Sequence, residues 1–307
     1  MLFSEAIEKY KKWRGFKVVE KSLNGHDLSL RHFCIFLRNP EIEDIKLEQI
    51  LEWLYLLKEM GFDANTLEKK AIALKKFFEF YRRQGCAVLD HWLVPMPKKE
   101  YAMPRVAAEE DYKKLLAVIP RNSGCYWHVR NLALITMLWD SGARVGEIVR
   151  LDIPHLDLEQ NRAVIKTEKS RGLRPFRELF WQPETTGHIQ QWLGRRERLV
   201  KGIVLEEPEA LFIGVKGGFF GRGARGKRLA SCAAGEVFRK YSNRAGLPQP
   251  LNAHSLRHHL GHELAKKGAN NSVISSILGH SSLQSSYRYT AFFDKELQGE
   301  YEKYNRK

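Results

Sequence analysis

Apolar side chains recur at helical spacing through the first 95 residues and predict four short helices. Phe3, Ile7, Tyr10 and Trp13 mark one face of the first. Leu23, Leu30, Phe33 and Leu37 mark the second, whose start is weakened by Asn24-Gly25. Leu47, Ile50, Leu51, Leu54 and Leu57 define the third; Leu67, Leu74, Phe77, Phe78 and Tyr81 define the fourth, with Asn65 or Thr66 as its cap. Residues 95–104 then carry three prolines and no helical period, the pattern of an extended linker. The expected layout is a helical domain over 1–95, a linker over 96–105 and a second domain over 106–307.

In the second domain the same reading predicts a helix over 109–119, a buried core helix around the strongly apolar 132–139, and a short helix over 144–151. Segments 162–165 and 173–180, joined across KTEKSRG, predict a β-hairpin with a polar, basic turn. Further helices are expected over 184–200, 232–245, 255–267, 271–278 and 294–304. The fold class is therefore mainly α with a small β-sheet.

Charge changes this picture from a plain helical protein to one with a polyanionic partner. The 307 residues carry a formal net charge of +15, which favours nucleic acid over membrane lipid. Lys69, Lys70, Lys75, Lys76, Arg82 and Arg83 lie between the apolar positions of the fourth helix, and their single sign favours a surface for phosphates over a merely solvated face. The stretch KGGFFGRGARGKR over 216–228, with Arg222 and Arg225, reads either as a flexible surface loop or as a phosphate-contacting one. Cys34, Cys86, Cys125 and Cys232 are scattered without a C-x-x-C pair, so neither a disulfide framework nor a zinc module is expected, and a reducing compartment is. The first residues turn charged within five positions and no run approaches the roughly 20 apolar residues of a membrane span, so a cytoplasmic, nucleoid-associated protein is expected.

Three clusters carry candidate chemistry. In Ser-Gly-Ala-Arg-Val-Gly-Glu, residues 141–147, Arg144 stands at the presumed start of a helix, where its guanidinium and open backbone N–H groups would face one anion. Glu147, one turn on, is placed to hold that arginine or simply to complement the helix start. His254 and Arg257, at i and i+3, would present an imidazole and a second guanidinium to one point, a pairing suited to a phosphodiester whose charge grows during attack. His258, His259 and His262 lie nearby, but H-E-x-x-H is absent and no Asp or Cys is suitably spaced, so no metal is expected. His280 follows Gly279, and Tyr289 stands nine residues later; a tyrosine serves as a covalent nucleophile where positive charge favours loss of its proton.

This combination resembles the tyrosine recombinase, or phage integrase, family, which includes Xer proteins and mobile-element integrases. The family's arginine after a Gly-x pair, with a carboxylate three residues on, matches Gly142-Ala143-Arg144 and Glu147; its H-x-x-R matches His254 and Arg257; its L-G-H matches Leu278-Gly279-His280; its nucleophile matches Tyr289. The resemblance implies an N-terminal SAM-like, DNA-clamping domain of four helices and a C-terminal catalytic domain. It implies a 3′-phosphotyrosine at Tyr289, with Arg144, His254, Arg257 and His280 around the phosphate and a hairpin lysine as general acid. Lys166 matches that lysine better than Lys169. Tyr287 competes with Tyr289, although helical geometry aims the two about 200° apart.

No cofactor, metal or ATP is implied. The implied partners are double-stranded DNA with an inverted-repeat recombination site and further protomers, as a homotetramer or a hetero-tetramer with a related recombinase, exchanging strands through a Holliday junction. The tail over 292–307, with Phe293, Leu297, Tyr301 and Tyr304 at helical spacing, would dock on a neighbouring protomer or on its own domain. With no arm-binding domain evident before the four helices, an Xer-like or transposon-type enzyme is expected ahead of a phage type. The rival classes are a type IB topoisomerase, which shares the chemistry, and a non-catalytic DNA-binding protein, which would not need the full set of Arg144, Arg257, His280 and Tyr289.

Overall fold

The apolar periods of the first segment become four helices: α1 (Phe3–Gly15), α2 (Glu20–Phe36), α3 (Leu47–Glu59) and α4 (Ala64–Arg82). The computed structural model describes residues 1–18, 20–98, 105–121, 124–167, 176–201, 205–214 and 226–279. The chain divides into two compact units, Met1–Met103 and Pro104–Lys307.

Aromatic rings dominate the core of the first unit. Phe77 of α4 is fully buried and lies 5.1 Å from Phe3, 5.5 Å from Tyr10 and 5.0 Å from Tyr81, so one ring gathers residues from α1 and α4. The Tyr81 hydroxyl, buried with its ring, donates to the Ala6 carbonyl at 2.8 Å, which removes the cost of burying it. Two sequence expectations need correction. Helix α2 runs straight through Asn24-Gly25 and stops one residue before Leu37, because burial of Leu30 and Phe33 outweighs the ~1 kcal/mol helix penalty of a glycine. The cap of α4 is Asp63, not Asn65 or Thr66; its carboxylate accepts from the Thr66 backbone N–H at 2.7 Å and from the Thr66 hydroxyl at 3.1 Å.

The second unit is built on α6 (Tyr126–Ser141), preceded by α5 (Glu109–Ala117) and followed by α7 (Val145–Val149). A three-stranded antiparallel sheet of β1 (Leu156–Asp157), β2 (Arg162–Lys166) and β3 (Phe176–Phe180) comes next, then α8 (Pro183–Val200). The short pair β4 (Ile213–Gly214) and β5 (Lys227–Arg228) precedes α9 (Ser231–Arg244), α10 (Ala253–Lys266) and α11 (Asn271–Leu278). Strands β1, β4 and β5 are two residues each, too short for any alternation to register in the sequence. The helix expected over 294–304 and the tail over 292–307 lie outside the described residues.

Helix α6 is buried along almost its whole length, as its unbroken apolar run requires. It ends at Gly142 in the left-handed region, φ 55°, and a Cβ there would stand 2.8 Å from both Leu260 of α10 and Leu278 of α11. Glycine is thus required twice over, by dihedral and by space. Two residues earlier Asp140 closes the start of α8, accepting from the Gln182 N–H at 3.0 Å and the Thr185 hydroxyl at 2.7 Å. Burial pushes the Asp140 pKa up, opposed by those two bonds.

The first described residues of this unit are fastened to α10 and to the residues just before it. Arg105 donates to the carbonyls of Pro250 and Gln249, the Ala107 N–H donates to Ser255 O at 3.1 Å, and His259 Nδ1 donates to Ala107 O at 2.9 Å. Trp139 of α6 is sandwiched between Tyr112, at 3.8 Å and 3°, and the His259 ring, at 4.1 Å and 22°. His259 is therefore a packing histidine whose pKa is lowered by burial, and no cluster of metal-ligating side chains exists among the described residues. No described helix is long and apolar enough to cross a membrane.

Candidate active site

Arg144 occupies the N-cap position of α7, held extended at φ −70° and ψ 145° after the turn that Gly142 permits. Glu147, three residues on, is 1% exposed and binds it twice: Oε2 accepts from the Arg144 backbone N–H at 2.9 Å and Oε1 from Arg144 Nη1 at 3.0 Å. That backbone N–H, expected to face an anion, is thus taken by the carboxylate. Arg144 Nη1 also donates to the Gly279 carbonyl at 3.0 Å, a residue 135 positions away. The cluster at 141–147 and the Leu278-Gly279 pair therefore meet.

Arg257 arrives from α10. Asn252 caps this helix by accepting from the Ser255 N–H at 2.9 Å, which starts it early enough to carry His254 in its first turn. Arg257 is buried and donates from Nη1 to the Gly142 carbonyl at 2.8 Å, two residues before Arg144. His254 is exposed at the same end of the helix, with its ring 6.1 Å from that of His258. Arg144 thus follows the end of α6 in the chain, and the Arg257 guanidinium is hydrogen-bonded to that end.

Lys166 is the exposed last residue of β2, opposite Phe176 of β3. Lys169 and Arg171 in the turn, Arg222 and Arg225 in the Gly-rich stretch, and His280, Tyr287 and Tyr289 all lie outside the described residues.

The sequence reading missed Arg177. It lies on β3 opposite the buried Ile165, its side chain only 7% exposed, and donates from Nη2 to Glu147 Oε2 at 2.8 Å and from Nη1 to the Ile277 carbonyl at 2.5 Å. Burial lowers its pKa, opposed chiefly by the Glu147 carboxylate. A signal was present: strand alternation puts Arg177 on the same face as the buried Leu179. A charge on a core-facing position calls for a partner.

The basic face of α4 needs revision. Lys70 is buried, with Nζ 5.4 Å from the Trp53 ring centre and 5.6 Å from that of Phe62, and burial lowers its pKa. Its alkyl stem and the aromatic rings account for this inward turn, so Lys70 does not belong to an outer phosphate surface. Lys75 lies over the Trp92 ring at 4.3 Å. Lys76 and Arg83 both pair with Glu79, at 2.7 and 2.6 Å, which breaks the single-sign stripe, while Lys69 is exposed.

Comparison with known proteins supplies the remaining context. Residues 105–296 match the model of the Phage integrase family, and residues 17–85 match the Phage integrase N-terminal SAM-like domain. The chain is 27% identical to Tyrosine recombinase XerC of Rickettsia rickettsii, with 94% of each chain covered. It is 28% identical to Tyrosine recombinase XerC of Rickettsia bellii, with 98% of this chain and 97% of that one covered. Two solved structures share the fold: the Tn1549 transposon integrase in complex with transposon right end DNA, at TM-score 0.71, 18% identity and full coverage of both chains, and the XerH site-specific recombinase bound to palindromic difH substrate, at TM-score 0.70, 22% identity and coverage of 98% of this chain and 84% of that one.

Proposed function

Because the chain belongs to the phage integrase family, we propose that it is a site-specific tyrosine recombinase, which cuts double-stranded DNA at an inverted-repeat recombination site and rejoins it to a new strand. The observation that supports this most is the meeting of Arg144, Glu147 and Arg257 at the end of α6, from parts of the chain more than 100 positions apart. Two guanidiniums fixed to backbone carbonyls form a preorganised positive site, the requirement for stabilising charge on the nonbridging oxygens of a phosphodiester.

In the proposed step the Tyr289 hydroxyl oxygen attacks the scissile phosphorus, and the bond from phosphorus to the 5′-oxygen breaks. The phenolic proton passes to His254, and Lys166 gives a proton to the departing oxygen, with Lys169 the alternative donor. Arg144, Arg257 and His280 hold the phosphate. The Nη1 group of Arg144 is committed to Glu147 and Gly279, which leaves the Nε and Nη2 hydrogens for the anion. The 3′-phosphotyrosine stores the bond, so rejoining is the same step in reverse and needs no ATP. The arginines supply the positive charge, and no cofactor enters the proposal. Lys69, Lys75 and Lys76 of the first unit, with Arg222 and Arg225, contact DNA phosphates, and four protomers, identical or paired with a related recombinase, exchange strands through a Holliday junction in the cytoplasm.

The test is incubation of the full chain with a candidate site nicked near the cleavage position, followed by a denaturing gel. A covalent adduct that Tyr289→Phe abolishes and Tyr287→Phe retains is expected; the opposite pattern moves the nucleophile. Absence of any adduct on every neighbouring repeat favours a non-catalytic DNA-binding protein, and relaxation of a supercoiled plasmid without pairing of two sites favours a topoisomerase.

A further inference from the structure

Arg177 belongs to none of the clusters that suggested the chemistry, yet it joins three of their supports. Its Nη2 donates to the Glu147 oxygen that also accepts from the Arg144 backbone, and its Nη1 donates to Ile277 O near the end of α11. Its stem packs so closely on Gly279 that a Cβ there would lie 2.5 Å from Nε and 2.6 Å from Cδ. The Arg144 guanidinium reaches the other oxygen of the same carboxylate and a carbonyl two residues on, Glu147 Oε1 and Gly279 O, each at 3.0 Å. Two arginines thus grip one buried carboxylate and the carbonyl end of one helix, where the helix dipole favours positive charge. Arg177 also neighbours Phe176, the cross-strand partner of Lys166.

Burying a second guanidinium here is poor economy if stability were its purpose, since the desolvation of a buried ion pair often cancels its attraction. What the arrangement supplies is geometry. With Arg177 in place Glu147 is held from two sides, so the Arg144 guanidinium has one orientation, and the strand that ends in Lys166 keeps a fixed distance from the residue that precedes His280. We propose that Arg177 is a positioning residue for DNA cleavage, acting through Glu147 on Arg144 and through the Ile277–Gly279 backbone on the approach to His280. This rests on the recombinase reading above.

The experiment is single-turnover cleavage of the nicked site by the full chain, at saturating protein, with rate constant and amplitude read separately. Arg177→Gln is expected to lower the rate constant between about tenfold and a hundredfold, the loss typical of reacting groups displaced by about an ångström, while the Kd for the uncleaved site stays within about threefold. Arg177→Lys retains a charge for Glu147 but lacks the planar fork that also reaches Ile277, and recovers part of the rate. In a Glu147→Gln background, Arg177→Gln adds little further loss, because the two act as one unit. A merely structural role lowers the amplitude and the unfolding midpoint and leaves the rate constant of the folded fraction untouched; that result, or losses that multiply in the double variant, overturns the proposal. Should Arg177→Gln fail to fold, Arg177→Lys is judged by the same two readouts. Wild type and Tyr289→Phe run in parallel: no adduct from wild type sinks the recombinase reading, an adduct from Tyr289→Phe moves the nucleophile, and a wild-type adduct beside a normal Arg177→Gln rate sinks only the role of Arg177.

Discussion

Replacing Gly142 by alanine perturbs the hub of the site with a single methyl group. Two costs follow from the geometry. The backbone at φ 55° puts an L-residue in the left-handed region, which costs about 1–2 kcal/mol. The added Cβ would stand 2.8 Å from Leu260 Cδ2 and Leu278 Cδ2, so each must retreat by about 0.6 Å to regain the 3.4 Å of ordinary contact. Overpacking of this kind costs about 1–3 kcal/mol. The expected loss is about 2–5 kcal/mol in urea unfolding of the full chain. Gly268→Ala is the control, because its φ of 79° carries the dihedral cost while nothing lies within 4 Å of the new methyl; about 1–2 kcal/mol is expected there. Displacing α10 also moves Arg257, which donates to the Gly142 carbonyl itself at 2.8 Å. Adduct formation on the nicked site should therefore slow by about tenfold or more in Gly142→Ala and stay at the wild-type rate in Gly268→Ala. Equal midpoints for the two variants, with an unchanged adduct rate in Gly142→Ala, would refute the reasoning.

Two further outcomes concern the first unit. Burial lowers the His26 pKa to about 4 against about 6.5 in the unfolded chain. The unfolded state therefore takes up the proton first, and stability present above pH 6.5 is lost as pH falls toward 4, by about 1–2 kcal/mol once solvent screening is allowed for. Amide exchange of α1 and α2 should show that slope in the wild type and a flatter one in His26→Gln; an unchanged slope rejects the assignment. Lys69→Gln should reduce the salt dependence of DNA affinity by close to one counterion, whereas Lys70→Met should leave it as it was, and equal reductions would return Lys70 to the DNA surface.

Most helices could be read from periodicity because each buries one stripe: Phe3, Ile7 and Tyr10 in α1, or Ile50, Leu54 and Leu57 in α3, announce their face directly. Reading failed where a contact outside the apolar pattern decides, most of them nonlocal. Gly25 is tolerated within α2 because a core elsewhere in the chain covers that helix, and Asp63 prevails as the α4 cap through local side-chain reach rather than through the apolar pattern. Lys70 counted as a surface charge until Trp53 and Phe62, from other segments, enclosed it. At the site, Arg144, Glu147 and Arg257 stood out because their spacing within a helix carries meaning. Arg177 did not, since its partners Glu147 and Ile277 lie 30 and 100 positions away.

The stitching of Arg105 and Ala107 onto α10 has a mechanical side. A pull along the backbone entering the second unit is borne by the carbonyls of Gln249, Pro250 and Ser255 and by the His259 ring, all on or just before α10. Helix α10 is the mooring point of the chain, and it is also the helix that carries His254 and Arg257.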